Sequence, residues 1–353
     1  MSPNALDRNL ARLTKLETHA NVKILHTLKS FNEQSILPLI SNNLSGMSIS
    51  SKKEFQMAKE ASAKHIHLYA PAFKEKELTG YIDDVQSISF NSLGQWERFK
   101  HLGKQTSKGL RINPRLHISI PSHCNPNLEE SRLGIGTEEF LKAFENKSQN
   151  FEFLEGLHFH ALFQSSVEDL VLLLNYILEH FKEVLPQLKW LNLGGGHSFT
   201  NIYYDIDTFV KNLLKFQKLF PNITFYFEPG ESVTKGCGQF ICSILDIVQI
   251  AKKKIVILDT SIETHLLDIA IVNMKLKVKE TQSAPTPYCY ELTGNSCLQG
   301  DIIGQYFFTK ELHIGDQVVF EDMMAYSMVK MTEFNGMEKA NFYLDNSNFL
   351  ENF

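Results

Sequence analysis

The chain has 353 residues, 43% of them hydrophobic and 21% charged, with a formal net charge of −5. That is globular composition, enough for a large core in two domains, and the acidic balance argues against nucleic acid as a partner. The cysteines Cys124, Cys237, Cys242, Cys289 and Cys297 are odd in number and match no zinc or redox spacing, which fits a reducing, cytoplasmic setting. The N-terminus, with Asp7 and Arg8 and no apolar run, is not that of a signal peptide. The apolar stretch 240–251 is interrupted by Asp246 and is too short to span a bilayer, so no membrane segment is expected.

In chain order, residues 22–28 read as a strand, followed by a helix over 33–43. Segments 46–49 and 51–61 repeat that order, with Ser51 placed as an N-cap. Further strands are expected at 65–69, 87–90, 110–113, 156–160, 191–193 and 224–227. Helices are expected between most of them, as at 92–101, 167–181 and 205–220. About eight such units predict an α/β fold of the TIM-like (β/α)8 barrel type, whose site lies at the C-terminal ends of the strands. A doubly wound open sheet is the competing architecture, but its glycine-rich loop usually follows the first strand; here the glycines come late. After residue 235 the texture changes. Segments 240–250, 254–258, 305–308, 317–321 and 325–330 look like strands joined by turns such as His313-Ile314-Gly315-Asp316, which predicts a mostly β domain. The expected division is a barrel over 8–235 and a β domain over 236–353 that takes in residues 1–7. A polar tail follows Lys339.

Two segments carry the chemistry. Leu191-Asn192-Leu193 runs into Gly194-Gly195-Gly196-His197, and Phe225-Tyr226-Phe227 runs into Glu228-Pro229-Gly230-Glu231. Each is an apolar strand that ends at glycine. Consecutive glycines let backbone N–H groups approach an anion that side chains would block. A phosphate cradle on one strand end and a fixed carboxylate on the next suggest a cofactor with a phosphate and a basic ring nitrogen.

With these motifs the chain resembles the fold-type III pyridoxal-phosphate decarboxylases, the superfamily of alanine racemase and the ornithine and diaminopimelate decarboxylases. Within it the likeness is greatest to the carboxynorspermidine (carboxyspermidine) decarboxylases. It rests on KILHTLKSF (23–31), YAPAF (69–73), NSLGQWERFK (91–100), SRLGI (131–135), GLHFH (156–160), LPQLKWLNLGGGH (185–197) and FEPGESV (227–233). It continues through GNSCLQGD (294–301) and FEDMMAYSMVKMTEFNG (320–336), and so covers nearly the whole chain in order. The resemblance implies a homodimer with shared active sites that uses pyridoxal 5'-phosphate to decarboxylate a polyamine precursor.

The resemblance also implies roles. Lys29, just past the first strand, holds the cofactor; a neutral lysine amine forms a Schiff base with an aldehyde, and desolvation favours the neutral form. Glu228 faces the pyridine nitrogen and keeps it protonated, making the ring an electron sink. Gly194, Gly195, Gly196 and Tyr326 hold the phosphate. His160, expected to end its strand, stacks on the ring, and His158 is a weaker candidate on the same face. Glu231 stands where ornithine decarboxylases carry an arginine that helps hold phosphate; an acid there suits an amine of a long substrate instead. Asp268 and Asp301 are further substrate acids, and Arg132 orders the active-site mouth or binds a carboxylate. Cys297 crosses the dimer interface and protonates the product carbanion. The readings that compete are a decarboxylase for another basic amino acid, of diaminopimelate or ornithine type, and a non-catalytic cofactor-binding homologue. Three departures from the family pattern stand out. The strand that usually precedes the first helix is expected to be cut short. Asn127-Leu128-Glu129-Glu130 replaces a common Cys-Ala-Pro, and Leu267 and Asn295 replace common prolines.

Overall fold

A computed structural model describes residues 1–146 and 150–345. The chain divides into two compact units, Arg8–Val233 and a second formed by Met1–Asp7 with Thr234–Phe353.

The first unit is a closed parallel barrel. Its strands are β1 (Lys23–Thr27), β2 (Gly46–Ile49), β3 (Ile66–Tyr69), β4 (Ser87–Phe90), β5 (Ser107–Asn113), β6 (Leu154–His158), β7 (Trp190–Asn192) and β8 (Thr224–Phe227). Each pairs in parallel with the next, and β8 closes on β1 through Lys23↔Tyr226 and Ile24↔Phe227. A two-residue strand, Ile135–Gly136, lies outside this ring on β5. Helices follow most strands, and local chemistry sets where they begin. Ser51 and Ser92 accept hydrogen bonds from the N–H groups of Glu54 and Gln95, and Ser166 with Asp169 forms a capping box. The helix after β1 starts at Leu37 rather than at residue 33, because Pro38 has no N–H and fits only the first turn.

Val167–Phe181 shows how the helices hold the barrel. Val167, Leu170, Leu173, Leu174, Ile177 and Phe181 recur at helical spacing and are all buried. Burying one such leucine stabilises the fold by about 1.5–3 kcal/mol, and Leu173→Ala would break the stripe at a cost of about 2–5 kcal/mol.

The second unit is a six-stranded sheet in the order Thr281–Gln282, Ile302–Phe308, Cys289–Thr293, Lys253–Leu258, Gln239–Ile250, Gln317–Glu321. Its core gathers Val256, Leu258, Tyr290, Leu292, Phe308 and Phe320. Two sequence expectations change here. Cys289–Thr293 is a strand that the sequence reading did not place. Residues 325–330 are not a strand: Tyr326–Val329 is a short helix closed by Lys330 N–H donating to the Tyr326 carbonyl. Asp322, at φ +59°, turns the chain out of the preceding strand, and a short apolar run has no periodicity strong enough to announce the change. Part of the polar tail is tied back to the N-terminus. The Met1 ammonium donates to the Tyr343 carbonyl at 2.7 Å, and Asp345 N–H donates to the Met1 carbonyl at 2.8 Å; residues 346–353 lie outside the described residues. Among the described residues, no helix is long and apolar enough to cross a membrane.

Candidate active site

Six strand ends deliver polar residues to one mouth of the barrel. Arg111, His158 and Asn192 are register neighbours on β5, β6 and β7. Glu228 follows β8 directly, and Lys29 stands two residues past β1. Glu228 is buried; its Oε1 accepts from Asn192 Nδ2 at 2.8 Å, and its main-chain carbonyl accepts from Thr27 Oγ1 at 3.2 Å. His158 Nε2 stands 3.6 Å from Glu228 Oε2. The Arg111 guanidinium lies 4.7 Å over the Tyr69 ring at the end of β3, and its Nη2 donates to the His160 carbonyl at 3.4 Å. Tyr69 in turn donates to Asn91 Oδ1 at 2.8 Å.

Burial dominates the electrostatics of this mouth. Lys29 keeps accessible surface yet is hemmed in by protein, so it lines a recess. Desolvation lowers its ammonium pKa; Glu228 opposes that shift and Arg111 adds to it. His158 and His160 are pushed well below the ordinary value of 6.5, first by burial. Glu228 then opposes the shift at His158, while Lys29 and Arg111 reinforce it at His160. The result is an amine biased towards its free-base form, two neutral imidazoles and an oriented acid. His158, His160 and Glu228 also present donor atoms within 4.8 Å of one another, a grouping that resembles a metal site.

The glycine turn packs closely against its own protein. Gly194 and Gly196 adopt φ +68° and +87°, a region that glycine enters without strain. What presses on them is protein. A Cβ on Gly194 would sit 2.7 Å from His160 Nδ1, one on Gly195 2.5 Å from the Glu228 carbonyl oxygen, and one on Gly196 2.1 Å from the Leu162 carbonyl oxygen. Gly194 N–H donates to Asn192 Oδ1 and Gly195 N–H to His160 Nδ1. The turn therefore knits the ends of β6, β7 and β8 together, and it fixes His160 as the tautomer with its proton on Nε2. His160 itself lies two residues beyond β6, not at its end, because the partner strand β7 stops at Asn192 and turns away.

The remaining expected residues divide between the units. In the barrel, Glu231 belongs to the short helix Gly230–Thr234 and accepts from Gln164 Nε2 at 3.0 Å. Arg132 is exposed, and its carbonyl accepts from Asn91 Nδ2 at 2.9 Å. In the second unit, Cys297 is an exposed free thiol on the loop between Cys289–Thr293 and Ile302–Phe308. Asp301 is buried on the same loop. Its Oδ1 accepts from Ile262 N–H at 2.8 Å, and its Oδ2 accepts from Ser296 N–H at 3.1 Å and Ser296 Oγ at 2.5 Å. The carboxylate braces the loop. Asp268 is buried as well, not an open loop acid: it accepts from Ser327 Oγ at 2.7 Å and pairs with Lys330. Lys330 also lies 5.4 Å over the Tyr326 ring. Arg111, Asn192 and Tyr69, absent from the expected set, also stand at the barrel mouth, as does His158. The available signal was a charged or amide side chain at the end of an otherwise apolar strand.

A family model for the pyridoxal-binding domain of pyridoxal-dependent decarboxylases matches residues 6–235, and the model for the C-terminal sheet domain of the same enzymes matches residues 202–324. The chain belongs to the pyridoxal-dependent decarboxylases. A carboxynorspermidine/carboxyspermidine decarboxylase of Campylobacter jejuni is 35% identical, over 99% of this chain and 93% of that protein. A carboxyaminopropylagmatine decarboxylase of Synechocystis is also 35% identical, over 94% of this chain and 85% of that protein. The crystal structure of a Campylobacter jejuni carboxynorspermidine decarboxylase complexed with norspermidine superposes with a TM-score of 0.86 at 34% identity, over 96% of this chain and 90% of that one. The family's cofactor is pyridoxal phosphate, and the mouth of this decarboxylase barrel fits it. The recess offers a desolvated amine at Lys29, an oriented acid at Glu228 and a neutral ring at His160. Among the described residues, both ring nitrogens of buried His158 lack a hydrogen-bond partner, so the mouth still has polar groups to satisfy.

Proposed function

We propose that this decarboxylase converts carboxynorspermidine or carboxyspermidine to norspermidine or spermidine and CO2, as a cytoplasmic homodimer. The observation that carries the substrate class is Glu231. It places a carboxylate three residues beyond Glu228, held by Gln164, where a chain of ammonium groups would find a counter-charge. The names of the first relative and of the norspermidine-bound structure point the same way.

When bound, pyridoxal phosphate supplies an electron sink for the bonding pair released as CO2 leaves. The protein's part is to hold and to move protons. Lys29 supplies the amine that would anchor the cofactor, and desolvation by the surrounding protein lowers its pKa, which favours the free base that this role needs. Glu228, oriented by Asn192, would be the partner of the ring nitrogen. His160 would offer its neutral ring to the cofactor, with its tautomer set by Gly195. The turn Gly194–Gly196 and Tyr326 are assigned to the phosphate, and Arg132 to the rim. Cys297, exposed and outside any disulfide, is read as the proton donor to the product carbon, supplied by a second copy of the chain. Asp301 acts at one remove by bracing the Cys297 loop, and Asp268 meets a substrate amine where Lys330 yields its place.

A second reading has its own support. Carboxyaminopropylagmatine ends in a guanidinium, which Glu231 also suits, and its decarboxylase is as similar in sequence as the first relative. The test is CO2 release from carboxynorspermidine, carboxyspermidine, carboxyaminopropylagmatine, ornithine and diaminopimelate. The first two are expected to turn over with the highest kcat/KM. A preference of about tenfold for the agmatine derivative would transfer the substrate assignment. Ornithine or diaminopimelate turning over as well as the triamines would overturn the proposal.

A further inference from the structure

His158 is the polar group at the barrel mouth for which no role has yet been assigned. It is 1% exposed, and neither ring nitrogen has a hydrogen-bond partner among the described residues. The rings of His67, Tyr69 and His160 meet it edge-on, with centroids 5.5, 5.4 and 6.3 Å away. Those neighbours leave the imidazole little room to swing. His67 cannot help it, since its own nitrogens are engaged by Ser87 and Ser89. Glu228 Oε2 is a potential acceptor for a proton on Nε2 and stands 3.6 Å away. The other carboxylate oxygen, Oε1, is already held by Asn192, the register neighbour of His158 on the next strand.

We propose that His158 is a positioning residue for Glu228, donating from Nε2–H to Oε2 in the cofactor-loaded protein. The carboxylate is then gripped by two donors from adjacent strands, one on each oxygen. Its plane is fixed, and an outward lone pair remains for the ring nitrogen. A neutral imidazole serves this better than a charged one. It orients Glu228 without forming an ion pair that would compete with the protonated ring. Burial is the largest influence on His158 and lowers its pKa; Glu228 opposes that shift, while His67, Arg111 and His160 add to it, and the net direction is well below the ordinary value. The inference rests on Glu228 being the partner of the ring nitrogen, and so on the function proposed above.

Two substitutions separate donor from filler. His158→Phe keeps a ring and removes the donor, whereas His158→Gln keeps an N–H donor and removes the ring. Each is compared with wild type by titrating cofactor-stripped protein with pyridoxal phosphate and following the visible absorption of the bound cofactor. Far-UV circular dichroism reports the fold. We expect His158→Phe to bind about tenfold more weakly or worse, the loss typical of a hydrogen bond to a charged group. His158→Gln should stay within about threefold of wild type. The opposite order, with Phe tolerated and Gln not, would show that His158 only fills space and would overturn the inference. Equal behaviour of the two variants, whether both weak or both unchanged, would overturn it as well. Failure of the underlying reading looks different: wild type itself would then show no visible band that Lys29→Ala abolishes.

Discussion

The Lys330 ammonium is paired with the buried carboxylate of Asp268, while Ser327 Oγ donates to the second oxygen of the same group. An acid read from the sequence as a substrate acid is thus paired with a cation of its own chain. A buried carboxylate without a partner is costly, and the short helix Tyr326–Val329 places Lys330 where that partner is needed.

Removing the cation should expose the cost. Lys330→Ala is expected to destabilise the second unit by about 1–3 kcal/mol, less than for a wholly buried pair because the lysine side chain is 33% exposed. Asp268→Asn in the same background should recover most of the loss. Urea unfolding of wild type and the two variants measures both.

Lys29 is the anchor whose loss should be complete. Lys29→Ala is expected to lose the visible absorption of bound pyridoxal phosphate and to reduce CO2 release by more than about 1000-fold. Borohydride treatment followed by peptide mass mapping should place the attached pyridoxyl group on Lys29 in wild type. Attachment at another lysine would remove this residue from the mechanism.

The glycine turn makes a prediction about fold rather than ligand. Gly196→Ala adds a Cβ 2.1 Å from the Leu162 carbonyl oxygen at φ +87°, and should cost about 3 kcal/mol or more. Gly300→Ala, with nothing within 4 Å of the added carbon, should change stability by no more than about 0.5 kcal/mol. Thermal unfolding of the cofactor-free proteins tests both, since the clash is with protein atoms.

Buried histidines set the acid limb of stability. Burial lowers His26 to about 4 and His65, His67 and His197 to about 3, from an ordinary 6.5. Between those values the unfolded chain takes up protons that the folded chain refuses. Their contribution is thus complete above pH 6.5 and is lost as pH falls towards 4 and then 3. At pH 5 each such histidine costs up to about 2 kcal/mol. The urea midpoint should fall from pH 7.5 to pH 5, and less steeply in a His197→Phe variant. A flat profile over that range would contradict the neutral assignment.

Glu231 should affect binding more than chemistry. Glu231→Gln is expected to raise KM for the preferred triamine substrate about tenfold while kcat changes by less than about threefold, as for loss of an interaction equal in ground and transition states. Steady-state kinetics of CO2 release measures the split.

Much of this architecture was legible in the linear chain. Period-two apolar runs with helices between them announce the barrel strands, and capping residues such as Ser51 and Ser92 mark helix starts. Lys29 and Glu228 stand out because a strand must end before each of them. Legibility failed where local pattern is ambiguous, as at 325–330, or where polar groups find their partners far along the chain, as Asp268 does with Ser327 and Lys330. The glycines were recognised as places of close approach, but what approaches them, His160 and two carbonyl groups, is not written in their spacing.

Sequence alone determined the order of the eight barrel strands, the amine and acid at two strand ends, and the acid at position 231 that separates this chain from ornithine-type enzymes. Those features depend on residue identity and short-range periodicity. Only the tertiary structure decided that Arg111, His158 and Asn192 share one level of the barrel, that Asn192 and His158 flank Glu228, and that Asp301 and Asp268 already have partners. The physical reason is register. Closing eight strands into a ring brings together residues distant in sequence, and a one-residue slip in any pairing would turn each of these side chains to the opposite face.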